Sequence, residues 1–274
     1  MTLIVGRDRE LALLEQLRVQ VARGEGVALL VSGDGGVGKT RLMSELARSA
    51  TDGRWHVMVG RAYALETAIP YAPFADACES VLAAMDGNLL LRLTRGDRAV
   101  LTALAPSMGG SATAEARASG ASAAEQHVRL HAGILQLFAR LAERQPLLLV
   151  LENLQWADGS SIELFHFLAR QLSRQRILLV GTWNETEREL PGSLRTMTRS
   201  LRSLGVARDV RLEPLDAEAL AALVSQRFDV DTAPGGEFIT ALHDATRGNP
   251  FFVEQTLDDL IARGSLRKAG GVWV

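Results

Sequence analysis

Val27-Ala28-Leu29-Leu30-Val31-Ser32-Gly33-Asp34-Gly35-Gly36-Val37-Gly38-Lys39-Thr40 is the stretch whose reading decides the fold. An apolar, β-prone run enters a turn with the spacing G-x-x-x-x-G-K-[ST] of a phosphate-binding loop. A helical pattern begins near Lys39, with Leu42, Met43, Leu46 and Ala47 at helical spacing. Strand, glycine loop and helix in that order form a cradle for an anion. The glycines Gly33, Gly35, Gly36 and Gly38, with Val37 between them, let backbone N–H groups turn inward, and the helix N-terminus adds its positive dipole end. Lys39 is expected to reach the β- and γ-phosphates and the Thr40 hydroxyl to ligate Mg²⁺, with Arg41 beside them. The expected ligand is a nucleotide, ATP or ADP, with Mg²⁺.

Working outward, strands alternate with helices. Expected strands lie at about 27–32, 55–60, 147–151, 177–182 and 206–212. Expected helices lie at about 8–21, 38–50, 73–85, 88–104, 125–144, 160–172 and 191–204. This alternation predicts an α/β fold, a five-stranded parallel sheet with helices on both faces, over residues 1–212. Residues 106–124, rich in Gly, Ser and Ala, read as a flexible loop. Only helices follow, at about 216–228, 235–246 and 250–263, a small helical lid domain over 213–264. Residues 265–274 look like a hairpin or the start of a winged helix. The apolar end Val272-Trp273-Val274 implies that the chain is a segment of a longer polypeptide.

Composition narrows the class. The 274 residues carry a net charge of −2 and 47% hydrophobic residues, enough for a large core and too little positive charge for a general nucleic-acid coat. A single cysteine, Cys78, fits a reducing cytoplasm, and its apolar surroundings make it a buried small hydrophobe. No apolar run approaches the roughly 20 residues of a membrane span, so no membrane partner is expected.

The strand at 147–151 delivers Glu152-Asn153 to the sheet's end. Glu152 occupies the position of the metal-side acid, and Asn153 stands where a second, water-activating acid belongs. An asparagine amide has no proton to exchange near neutral pH, although it can orient water. The next strand ends Thr182-Trp183-Asn184, and either Thr182 or Asn184 could sense a γ-phosphate or serve as an ordinary strand-end polar group. Asp158 reads as a helix cap, as does Asn249 before Pro250. His127 and His131 lack the acid and third ligand of a metal site.

These stretches together resemble the STAND class of signal-transduction P-loop ATPases, nearest the MalT-like and large LuxR-type transcriptional regulators. Val5-Gly6-Arg7-Asp8-Arg9-Glu10-Leu11, the phosphate loop, Gly60-Arg61, Ile69 to Phe74, Glu152 to Asp158 and Arg247 to Glu254 carry the resemblance in order. It implies an ADP-closed, ATP-open switch that self-associates, with effector and DNA-binding domains outside this chain and an inducer the sequence does not name. It also implies that Gly6 and Arg7 border the base and that Pro250 lies near adenine or ribose. Asn153 replaces the family's second acid and Asn184 its arginine, departures that predict slow hydrolysis. Rival readings are an AAA-type ATPase ring, taking an arginine such as Arg188, Arg195 or Arg199 from a neighbour, a small-molecule kinase, and a nucleotide-stabilised scaffold.

Overall fold

The computed structural model describes residues 4–94, 97–105, 122–186, 190–229, 235–269 and 272–273. Five strands form the main sheet: β1 (Val27–Gly33), β2 (His56–Arg61), β3 (Leu147–Glu152), β4 (Ile177–Thr182) and β5 (Ala207–Leu212). Their order is β2-β3-β4-β1-β5, and every pairing is parallel. The strand ending in Thr182 therefore lies between the loop strand and the strand ending in Glu152.

The three central strands are buried along their whole length. Successive strand side chains point to opposite faces, which divides each apolar run between two cores. Leu30, Leu147, Leu149, Leu151 and Leu179 face one core with Phe74, Phe138 and Phe165. Leu29, Val31, Leu148, Val150, Leu178 and Val180 face the other with Leu42, Met43 and Leu46. The second core is covered by α1 (Asp8–Ala22) and α2 (Lys39–Asp52). The first is covered by α3 (Ala72–Ala83), α4 (Gly87–Thr94), α5 (Arg98–Leu104), α6 (Ala123–Arg144), α7 (Gly159–Ala169) and α8 (Gly192–Ser203). Cys78 is fully buried in this core, and burial pushes its thiol pKa up.

The edge strands β2 and β5 are only partly buried. β5 presents Arg208, Asp209 and Arg211, charges that discourage edge-to-edge pairing.

Sequence periodicity predicts one helix at 88–104, where the structure has two. Asp97 starts α5 by accepting hydrogen bonds from the Ala99 and Val100 amides, at 2.9 and 3.4 Å. An Asp that caps a new helix competes with continuing the old one. Most of the expected flexible loop at 106–124 lies outside the described residues. Its end is ordered by a capping box: the Ser122 amide donates to Glu125 at 2.9 Å, and Ser122 Oγ accepts from the Glu125 amide at 3.3 Å.

Beyond β5, α9 (Ala217–Phe228), α10 (Gly236–Thr246) and α11 (Pro250–Ala262) enclose an apolar cluster of their own, Leu220, Val224, Phe228, Ile239, Leu242, Val253 and Leu257. β6 (Lys268–Ala269) and β7 (Val272–Trp273) pair antiparallel.

Candidate functional site

The glycine turn from β1 to α2 has the backbone its sequence requires. Gly36 (φ +80°) and Gly38 (φ +104°) sit in the left-handed region that side chains resist. Gly38 is also the N-cap of α2, and its carbonyl accepts from the Leu42 amide at 3.0 Å. Lys39 is only 8% exposed, and its ammonium donates to the Gly33 and Asp34 carbonyls, each at 2.8 Å. Burial lowers the Lys39 pKa, opposed by Asp34 and Glu185. A desolvated ammonium, positive-φ glycines and the first turn of a helix fit an oligophosphate, and this donor set is the observation on which the nucleotide expectation rests.

The loop opens into a cavity of about 840 Å³. The expected residues Arg7, Gly35, Gly36, Val37, Gly38, Lys39, Thr40, Arg41, Asn153, Asn184 and Pro250 line it. Gly6, Gly33, Glu152 and Thr182 do not. Gly33 contributes its carbonyl to Lys39 instead. Gly6 packs on α9, where an added Cβ would stand 2.4 Å from Ala219 Cβ. Thr182 is buried, and its hydroxyl accepts from the Asn153 amide at 3.4 Å.

Arg7 is buried, donating to the Val37 carbonyl at 3.0 Å, so it braces the glycine loop as well as lining the cavity. Burial lowers its pKa, against the pull of Glu10 and Glu213.

Glu152 is 2% exposed and ion-paired with Arg61, whose Nε lies 2.7 Å from its carboxylate. Parallel register places Arg61 directly opposite Glu152, and the Arg61 amide is tied to Asp76 at 2.8 Å. Asn153 follows in the left-handed conformation (φ 61°, ψ 43°), which turns the chain into the cavity wall. Asn184 stands over the glycine loop, its amide nitrogen 3.3 Å from where a Gly35 Cβ would lie. Its backbone amide donates to Gln155 Oε1 at 3.1 Å, and its side-chain Oδ1 accepts from the Thr186 amide and hydroxyl.

Asn249 does more than its sequence reading as a cap allows. Its carbonyl oxygen accepts from the Phe251 amide at 3.1 Å, while its amide nitrogen donates to the Gly35 carbonyl at 2.8 Å. The Phe251 amide also donates to the Gly36 carbonyl at 3.3 Å. Phe251, Arg227, Glu254, Gln155 and Trp156 also line the wall, and none of them is singled out as a site residue by the sequence. Arg227 bridges α9 to α11 through Glu254 at 2.9 Å. The sequence cues were the placement of Asn249-Pro250 at a helix start and the resemblance carried by Glu152 to Asp158 and Arg247 to Glu254; nothing local says what lies opposite.

The other singled-out residues are elsewhere. His127 and His131 share the Tyr71 hydroxyl, at 2.8 and 3.3 Å. Asp158 caps α7, accepting from the Ser161 amide at 3.0 Å. Arg195 and Arg199 are exposed on α8 and do not line the cavity, and Arg188 lies outside the described residues. Among the described residues, no helix is long and apolar enough to cross a membrane.

Comparison with known proteins agrees with this geometry. An uncharacterized protein of Rhizobium meliloti (strain 1021) is 25% identical over 189 residues, covering 65% of this chain and 18% of its own length. The chain thus spans about a fifth of the curated relative it matches. The Aeropyrum pernix ORC1 protein, solved in complex with DNA, superposes with a TM-score of 0.56 at 16% identity, covering 96% of this chain and 62% of that one, a likeness of fold. A STAND protein with a tetratricopeptide repeat sensor from Pyrococcus horikoshii gives a TM-score of 0.44 at 16% identity, covering 91% of this chain and 29% of that one, too distant to carry an argument. The model of the AAA ATPase domain matches residues 3–180, well over half the chain, and with the loop, sheet order and cavity in place the protein belongs to the AAA ATPase domain family.

Proposed function

We propose that this chain is the ATP/ADP-binding switch module of a cytoplasmic signal-transduction regulator of the STAND type, one that hydrolyses ATP slowly. The observation that carries the reading is the seating of α11 on the glycine loop through Asn249 and Phe251. A loop that holds phosphates and a helical lid that rests on that same loop share one set of backbone groups. A nucleotide that changes the loop therefore changes the lid's equilibrium, and only such differential contact can drive a switch.

In this reading Lys39 binds phosphate, and Thr40 and Glu152 would hold Mg²⁺, Glu152 by sharing with the ion the carboxylate it now gives to Arg61. The metal would supply charge neutralisation between phosphate oxygens. Arg61 holds Glu152 in place on the sheet's end. Pro250 and Phe251 close the lid side, and DNA contact, if the regulator is transcriptional, belongs to domains outside this chain. Slow hydrolysis follows from Asn153: its amide can orient a water but cannot take its proton.

The test is single-turnover hydrolysis, with bound ATP and ADP quantified over hours in the parent and in Asn153→Asp. The parent is expected to retain ATP, and the variant to hydrolyse it about 10²-fold faster or more, the usual range for a positioned general base. Asp tolerates the left-handed conformation of this position. Rapid turnover by the parent would overturn the slow-switch reading in favour of an active ATPase. A nucleotide-stabilised scaffold is the second reading, favoured by the same Asn153, and it predicts that ADP is retained without any response to ATP.

A further inference from the structure

The geometry points to Asn249 as the positioning residue that latches the lid to the phosphate loop, so that the lid cannot lift until the Gly35 peptide is released. The inference rests on the proposed nucleotide switch and names the contact through which it works.

The argument starts from the chemistry of one amide. Asn249 is 7% exposed, and both ends of its side chain are used. The oxygen caps α11 by accepting from Phe251, and the nitrogen donates to Gly35, a residue 214 positions away in sequence. The carboxamide makes both bonds at once because its donor and its acceptor are separate atoms that point apart. Aspartate caps helices equally well but has no donor for the Gly35 carbonyl, and serine or threonine offers one oxygen where asparagine places two separate polar atoms. An ordinary cap therefore does not require asparagine here, whereas the latch does.

The other side of the contact is equally demanding. A Cβ added at Gly36 would stand 2.5 Å from Phe251 Cβ and 2.8 Å from Asn249 Oδ1, so α11 occupies the space a side chain would need. Gly36 is thus a landing surface for the lid as well as part of the loop. Just outside the cap, the Leu215 amide donates to the Gly248 carbonyl at 2.8 Å, which ties the α11 entry to the segment linking β5 with α9. Among the described residues, α11 is thus seated on the loop by the Asn249 amide and the Phe251 backbone bond, with the Leu215-to-Gly248 bond and the packing of α9 on Gly6 beside them, few enough contacts for a ligand to bias.

Two cap-preserving variants test this in the full chain, Asn249→Asp and Asn249→Ser. The first measurement needs no nucleotide. Cysteines introduced at the exposed positions Ser44 on α2 and Gln255 on α11 are spin-labelled, with the buried Cys78 as a silent background, and their distance distribution is recorded. The second measurement is the release rate of a fluorescent ADP analogue.

With the fold retained by circular dichroism, both variants should broaden the distance distribution and speed ADP release about tenfold, the order expected for losing one buried hydrogen bond. A narrow, parent-like distribution in both variants would overturn the latch. Broadening without faster release would overturn the claim that the lid must lift for nucleotide to leave. If the parent bound no nucleotide, the proposed function would fail while the distance measurement still decided the latch.

Discussion

At the scale of single residues, the site is a set of charges that the fold has taken out of water. Lys39 is the clearest case, buried and held by two carbonyls. Replacing it with methionine keeps the aliphatic stem and removes the charge. Lys39→Met is expected to fold like the parent and to weaken binding of a fluorescent ATP analogue at least tenfold, measured by titration. Arg61 makes a different prediction. Its partner Glu152 is buried, and removing the guanidinium strands a carboxylate among apolar groups. Because Arg61 itself is 48% exposed, solvent screening discounts the loss, and Arg61→Ala should cost about 1–2 kcal/mol by urea unfolding. A cost indistinguishable from zero would mean that water already serves Glu152 as well as Arg61 does.

At the scale of elements, α3 packs against β2 so closely that one glycine decides the distance. A Cβ on Gly60 would stand 2.0 Å from the Pro73 carbonyl oxygen and 2.7 Å from the Ala77 nitrogen, both backbone atoms that cannot swing aside. Gly60→Ala should therefore destabilise the chain by about 1–3 kcal/mol, the usual range for overpacking. Because Gly60 precedes Arg61, it should also loosen the pair with Glu152, so Gly60→Ala and Arg61→Ala should be less than additive in a double-mutant cycle.

The junction of α3, α6 and α7 holds the Tyr71, His127 and His131 cluster. Burial lowers the pKa of His131, His127 adds to the effect, and Glu163 opposes it. Burial likewise lowers His56 and His166, reinforced by Arg144 and Arg170 respectively. Each of these histidines takes up its proton more readily unfolded than folded, so stability is fully present above the unfolded pKa near 6.5 and is lost as pH falls below it. Urea midpoints should drop between about pH 7 and pH 5, and His131→Asn should flatten part of that slope. A slope unchanged by the substitution would place the proton uptake elsewhere.

At the scale of the whole molecule, the two readings of function part on one observable. A switch must differ in shape or assembly between its ATP and ADP forms, and a scaffold need not. Sedimentation with saturating ATP and then with ADP should show a larger species with ATP, and identical profiles would favour the scaffold.

The same scale separates what local chemistry reveals from what it cannot. The sequence by itself determined the glycine loop, the parallel sheet and the position of Glu152 and Asn153, because each rests on short-range physics. Glycine spacing, the alternation of strand side chains between two faces and apolar runs are written in adjacent residues. It also marked Asn249 as a cap, since a cap is local. What only the tertiary structure decided is which partners these residues meet: Arg61 beside Glu152 across a strand register, Thr182 turned to the Asn153 backbone, and Asn249 reaching Gly35. Those contacts join segments up to 214 residues apart, and the energy that selects them comes from packing two cores against one sheet and a third against its loop. No run of neighbouring residues encodes that choice, because burial and register are properties of the assembled chain.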